Sequence, residues 1–218
     1  MFWSVTQTLL SGLATTFEIF ILTLVFALPL GLVIAFGLMS KFKPLRYLLD
    51  VIVWVIRGTP LMLQLIIIFY GPGMWLHHNI WRGNNTGRIT ATVVAFAINY
   101  AAYFAEIYRG GIESMPVGQY EAAEVLGYTK TQTFFHIILP QVIKRIMPSI
   151  TNEVITLVKD TSLAFTVSYA EMFTVGKQIA NSETSFMPFL VAGVFYFVFN
   201  AVVDFVMGKI EKSMDYYR

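Results

Sequence analysis

The chain has 218 residues, 56% of them hydrophobic and 13% charged, with a formal net charge of +2 and no cysteine, and its mean hydropathy is +0.66. A water-soluble domain carries about 25% charged residues, so the deficit excludes that class and points to an integral membrane protein. The absent cysteine excludes disulfides, thiolate catalysis and Cys-ligated metals.

A bilayer core of about 30 Å takes about 20 helical residues. The first apolar run covers 13–39, with Pro29 in its middle. No basic segment precedes it, so it is expected to be retained as a membrane helix rather than cleaved as a signal peptide. The second, 45–74, is interrupted by Arg57-Gly58-Thr59-Pro60. Gly58 and Pro60 free backbone groups there that Arg57 is expected to organise, a structural role. A polar loop follows, holding His77, His78, Arg82, Gly83 and the sequon Asn84-Asn85-Thr86. The two adjacent histidines have no evident third ligand, so no metal site is expected. The third run is 89–108 and the last is 186–207. Glu18 and Asp204 are read as interfacial, and Glu171 is left without a role.

Between the last two runs, 147–175 is more polar, with Glu153, Lys159 and Asp160. Basic residues decide how it is counted. Lys41, Lys43 and Arg46 follow the first run, Arg109, Lys130, Lys144 and Arg145 follow the third, and Lys209, Lys212 and Arg218 follow the last. The positive-inside rule places all three groups in the cytoplasm, so 147–208 is expected to cross twice. The reading is an all-α integral membrane chain of five transmembrane helices, one domain over 1–218, with the N-terminus outside and the C-terminus cytoplasmic.

The segment 113–140 is then a cytoplasmic insert. Pro116 suits a first helical turn, and Gly127 suits a C-terminal stop where φ is positive. Thr129-Lys130-Thr131-Gln132 fits a capping box, and a second helix is expected to stop or kink at Pro140. Two short helices joined at a glycine make a folded knob. No phosphate-cradling GxxxxGK[ST], HExxH or GxSxG occurs, so energy for active work is expected from an ion gradient or another subunit.

Ionisable residues at membrane depth mark a site or a pathway. Glu153 and Asp160 lie two turns apart on one helix face, with Thr156 between them, and Asn99, Tyr103 and Glu106 share a face of the third span. These faces are expected to meet at a solvated cavity. Glu153 and Asp160 would attract a cationic side chain. Lys159, or the backbone N–H groups of a break near Thr161 and Ser162, would hold a substrate carboxylate. Internal pairing of the acids with Arg57 or Lys159 is the competing reading. For Glu106, interhelical pairing is at least as good an account as substrate contact.

Glu121-Ala122-Ala123, three residues, Gly127, nine residues, Ile137, one residue and Leu139-Pro140 resembles the EAA motif of ABC-importer permeases. Arg57-Gly58-Thr59-Pro60-Leu61 with Gln64, and Asn152-Glu153 leading to Lys159-Asp160-Thr161-Ser162-Leu163 and Glu171, are similar to the signatures of polar amino-acid permeases of the histidine/arginine/glutamine branch. The resemblance implies a type I importer permease in a prokaryotic cytoplasmic membrane. It is not itself an enzyme, and MgATP binds in a separate ATPase. Two permeases would pair, a homodimer being favoured, with two ATPase subunits and an external amino-acid-binding protein. The coupling segment would use Glu121, Ala122, Ala123, Glu124 and Gly127. The expected cargo is a polar, basic L-amino acid: arginine, lysine or histidine. The alternatives are an ion-coupled secondary transporter and a non-transporting membrane scaffold.

Overall fold

The computed structural model describes residues 2–214 apart from Asn79, Arg82 and Gly83. Of the features read above, Arg82, Gly83 and Arg218 lie outside the described residues. The described elements are α1 (Phe2–Leu38), α2 (Lys43–Arg57), α3 (Leu61–Trp75), α4 (Asn85–Glu113), α5 (Val117–Val125), the single turn α6 (Lys130–Gln132), α7 (Leu139–Asp160), α8 (Met172–Glu183) and α9 (Met187–Ser213). A π-helical segment, Thr133–Ile138, joins α6 to α7, and a 3₁₀ segment, Thr161–Val167, follows α7.

The expectation of five transmembrane helices is not met. Among the described residues, three helices are long and apolar enough to cross a bilayer, those ending at Leu38, Glu113 and Ser213. A fourth crossing exists only if α2 and α3 count as one span, and they are bent by 104° at Gly58–Pro60. Residues 147–175, read as the fifth span, are not one helix. They comprise the end of α7, the 3₁₀ segment, a left-handed turn at Ser168 and the start of α8. The physical reason is composition: α7 carries Lys144, Arg145, Glu153, Lys159 and Asp160, too many charges for an apolar crossing. The assignment of the termini to opposite sides rested on the count of five and loses its basis with it.

Small side chains set the packing. α1 and α4 make the most extensive contact in the fold. On α4, Ala91 and Ala95, then Ala97, Ala101 and Ala105, recur every four residues and are all buried. Where lipid is as apolar as leucine, close backbone approach over such a stripe is what favours helix association. A Cβ on Gly31 of α1 would fall 2.8 Å from the Cβ of Phe104 and 3.0 Å from the carbonyl of Ala101, so α1 needs glycine there.

Lower on α1, Gly12, Thr15 and Thr16 cradle the turn between the 3₁₀ segment and α8. Thr15 Oγ1 donates to the Ala170 carbonyl at 2.9 Å, and Met172 N donates to Thr16 Oγ1 at 3.2 Å. Glu171 is fully buried and caps α8. Its carboxylate accepts from Phe173 N at 2.7 Å, Thr174 N at 2.6 Å, Thr174 Oγ1 at 2.8 Å and Tyr196 Oη at 2.9 Å. Four donors at a helix N-terminus make a buried carboxylate tenable. Glu18, read as interfacial, is an exposed residue of α1 that accepts from Tyr169 Oη at 3.4 Å.

The insert is folded, with differences from expectation. Pro116 is the N-cap of α5 rather than part of its first turn. Gly127 has φ +79°, and Tyr128 N→Ala123 O (3.0 Å) with Gly127 N→Glu124 O (2.9 Å) close the helix in a Schellman motif. Thr129 and Gln132 form the capping box. Pro140 neither stops nor ends a helix. It lies in the first turn of α7, directly after the π-helical segment, and the chain runs on from that segment into α7.

Gly12→Val should destabilise the protein, because a Cβ there falls 2.7 Å from the Met172 Cα; overpacking of this kind costs about 1–3 kcal/mol. Gly110→Ala, with nothing within 4 Å of the added Cβ, should raise stability slightly. Thermal unfolding of the purified protein in detergent checks the pair, and equal melting temperatures would contradict the packing of α1 on the Ala170–Met172 turn.

Candidate functional site

The α2–α3 break, α4, α7 and Leu163 of the 3₁₀ segment line an open cavity of about 690 Å³. The break between α2 and α3 contributes Arg57, Gly58, Thr59 and Pro60, α4 contributes Asn99, Tyr100 and Tyr103, and α7 contributes Glu153, Thr156 and Asp160. That volume lies within the about 300–1,000 Å³ of small-molecule clefts.

The break positions its wall because each freed carbonyl finds a donor. Gly58 N donates to Trp54 O at 3.0 Å, and Thr59 Oγ1 donates to Val55 O at 2.9 Å. Gln64 Nε2 donates to Ile56 O at 2.8 Å, and Tyr103 Oη donates to Arg57 O at 3.4 Å. The Arg57 guanidinium lies over the Tyr103 ring, 5.3 Å from its centroid.

On the facing wall, Tyr100 Oη donates to Asp160 Oδ2 at 2.8 Å. No lysine or arginine lies within direct ion-pair distance of Glu153 or Asp160 among the described residues, where ion pairs join Arg46 to Asp50 (3.8 Å) and Arg109 to Glu106 (2.6 Å) and Glu113 (3.3 Å). Neither acid makes a direct ion pair, but the Arg57 charge acts on Glu153 from the same cavity and the Lys159 charge acts on Asp160. Both carboxylates are half-buried and line the cavity.

Of the candidate substrate residues, the structure brings together Asn99, Tyr103, Glu153 and Asp160. It leaves out three. Lys159 is exposed and does not line the cavity. Thr161 is fully buried and donates to Val158 O at 2.7 Å, and Ser162 Oγ donates to Lys159 O at 2.8 Å. The break after Asp160 thus satisfies itself locally. Glu106 pairs with Arg109 on its own helix rather than across helices. Arg57, Gly58 and Pro60, read as structural, form cavity wall as well. Sequence reasoning missed Tyr100; its signal was a phenol deep in an apolar run, whose hydroxyl needs a partner.

The insert is a second candidate surface. Glu121, Ala122 and Glu124 are exposed, and beside them Val125 is 88% and Leu126 73% exposed. Ala123 differs: it is buried, on an α5 that packs against the π-helical segment, so its small size serves internal packing. The knob is tied to the long helices. Arg145 Nη1 donates to Ser114 O at 2.7 Å, and Gln141 Nε2 donates to Gln119 Oε1 at 3.4 Å.

Residues 27–216 match the family model described as binding-protein-dependent transport system inner membrane component. The L-cystine transport system permease TcyB of Bacillus subtilis (strain 168) is 36% identical over 99% of this chain and 89% of its own length. The arginine permease ArtQ of the same organism is 33% identical over 94% and 92%, respectively. The octopine permease OccM of Rhizobium radiobacter is 37% identical over 97% and 88%. A crystal structure of an amino acid ABC transporter with histidines superposes with TM-score 0.86 at 33% identity, covering 95% of this chain and 94% of that one. The inward-facing MetNI methionine transporter shares the fold, with TM-score 0.71 at 18% identity. With a break-lined polar cavity in a multi-pass membrane fold, and matches that run nearly end to end, this chain belongs to the family of inner membrane components of binding-protein-dependent transport systems and is a permease subunit of an ABC importer, not itself catalytic.

Proposed function

We propose that this permease carries cationic L-amino acids, with arginine, lysine and histidine as the cargo class, by alternating access driven by a partner ATPase. The observation that carries the reading is the pair Glu153 and Asp160, two acids facing one cavity whose lining holds a single cation, Arg57, at no direct ion-pair distance from either. A carboxylate in a membrane protein without an ion-pair partner needs water or a cationic ligand. The relatives' names span cystine, arginine and octopine, so they support a small polar solute, and the charge of the cavity supports the cationic choice.

In this reading a guanidinium or ammonium group sits between the carboxylates of Glu153 and Asp160. Asn99 and Thr156 offer further polar contacts, and Tyr103 with Arg57 closes the side of the α2–α3 break. Tyr100 holds Asp160 by one oxygen and leaves the other for the ligand. α7 works as a lever, since its N-terminal end is rooted in the knob and its C-terminal end carries both acids. Its 22 residues span about 33 Å. The knob, presenting Glu121, Ala122, Glu124 and the apolar pair Val125 and Leu126 and turned by Gly127, docks on the cytoplasmic ATPase. Two copies of this chain pair, and an external binding protein delivers the solute. A secondary transporter would have no use for such a knob.

Equilibrium binding to the purified permease–ATPase complex tests the cargo. Arginine should bind more tightly than glutamine, and Glu153→Gln should weaken arginine about tenfold to a hundredfold, the worth of a charge-assisted hydrogen bond. Glutamine or glutamate outcompeting arginine would defeat the charge argument. For the knob, Gly127→Pro and Glu121→Lys should abolish ATPase pull-down while the permease still inserts in the membrane, because proline cannot adopt φ +79°. Recovery of the ATPase at wild-type yield with both variants would rule out the coupling role. Uptake that persists without ATPase and collapses with an ionophore would favour the ion-coupled alternative.

A further inference from the structure

Gln64 does not line the cavity, yet its amide dictates the polarity of one wall. It lies in the first turn of α3, and its Nε2 donates to Ile56 O at 2.8 Å, to Thr59 O at 3.2 Å and to Thr59 Oγ1 at 2.8 Å. Two of these acceptors are backbone carbonyls, which cannot donate, so nitrogen must occupy that side of the amide. Oε1 therefore points the other way, and Asn99 Nδ2 donates to it at 3.0 Å. The orientation of Gln64 fixes that of Asn99 in turn. Turning the Asn99 amide over would set oxygen against oxygen in a buried site, at the cost of a hydrogen bond and a repulsion.

The consequence reaches the ligand. Asn99 lines the cavity and is only 5% exposed. Its Oδ1 lies on the edge of the amide away from Gln64. The same cavity is lined by the carboxylate of Glu153 and by Asp160, one of whose oxygens accepts from Tyr100. The α4 and α7 side of the cavity thus carries these acceptors, while the Arg57 guanidinium, a donor, lines the side of the α2–α3 break. Donor-only side chains, ammonium and guanidinium, suit the α4 and α7 side; carboxamides and carboxylates bring an acceptor oxygen of their own.

We propose that Gln64 is a specificity-positioning residue: tethered to the broken end of α2, it holds Asn99 with its oxygen available to the cavity and so sharpens preference for donor-only side chains. The proposal rests on the cationic-cargo reading above. It also ties discrimination to the α2–α3 break, since the same amide that staples the break orients Asn99.

The test is equilibrium binding of radiolabelled arginine and glutamine to the purified permease–ATPase complex. In Gln64→Leu the ratio Kd(glutamine)/Kd(arginine) should fall about five- to tenfold, the effect of one misoriented hydrogen bond. A role confined to bracing the helix would reduce the amount of competent protein and leave this ratio unchanged, and that result would overturn the proposal. Asn99→Leu leaves the bonds of Gln64 to Ile56 and Thr59 intact, and it should lower the ratio similarly even if Gln64→Leu fails to fold. An unchanged ratio in Asn99→Leu overturns the proposal by itself. A wild-type complex that binds glutamine as tightly as arginine removes the cationic reading and this proposal together. A wild-type preference that survives both substitutions removes this proposal alone.

Discussion

A helix broken within a membrane fold must satisfy its own backbone, and the candidate site is built from the groups that do so. α2 stops at Arg57, and its last carbonyls meet Gly58 N, the Thr59 hydroxyl, the Gln64 amide and the Tyr103 hydroxyl. Hydrocarbon offers no water to replace any of these, so irregular backbone persists only where protein or a polar cavity surrounds it. The 104° bend between α2 and α3 turns the freed segment toward α4 and α7. Cavity, bend and hydrogen bonds are thus one arrangement.

The same constraint gives two kinds of glutamate. Glu171 and Glu153 both belong to the polar stretch that hydropathy handles poorly. Glu171 is enclosed by α1, α8 and α9 and receives four donors, two of them amides at the start of α8. It is spent on structure. Glu153 lines the cavity from α7 with no direct ion pair among the described residues, with Arg57 in the same lining. The small-residue stripe of α4 underlies both outcomes. It lets α1 lie close to α4 near Gly31, while further along Gly12 and the threonines of α1 embrace the Ala170–Met172 turn.

How well the sequence could be read followed the range of the interactions. The Gly127 turn, the Thr129–Gln132 capping box and the break at Gly58–Pro60 depend on residues within a few positions, so their chemistry is written locally. The count of crossings is not local. Charge bookkeeping demanded a fifth span, and the structure answers with α7, a 3₁₀ segment and a left-handed Ser168, because chain near the protein's polar interior need not be one apolar helix. Lys159 shows the same limit. Its position beside Asp160 suggested a shared site, but neighbours on a helix point apart, and Lys159 faces away from the cavity that Asp160 lines.

The sequence by itself determined a membrane-embedded all-α chain, a folded knob, and the shared helix faces of Glu153 with Asp160 and of Asn99 with Tyr103. Periodicity, composition and short-range capping suffice for each of these. Only the tertiary structure decided which polar groups remain available. Tyr100 reaches Asp160 across 60 positions, Asn99 reaches Gln64 across 35, and Met172 reaches Thr16 across 156. Pairings at that range are set by how helices pack, through the close approaches that glycine and alanine permit, and no local pattern encodes them.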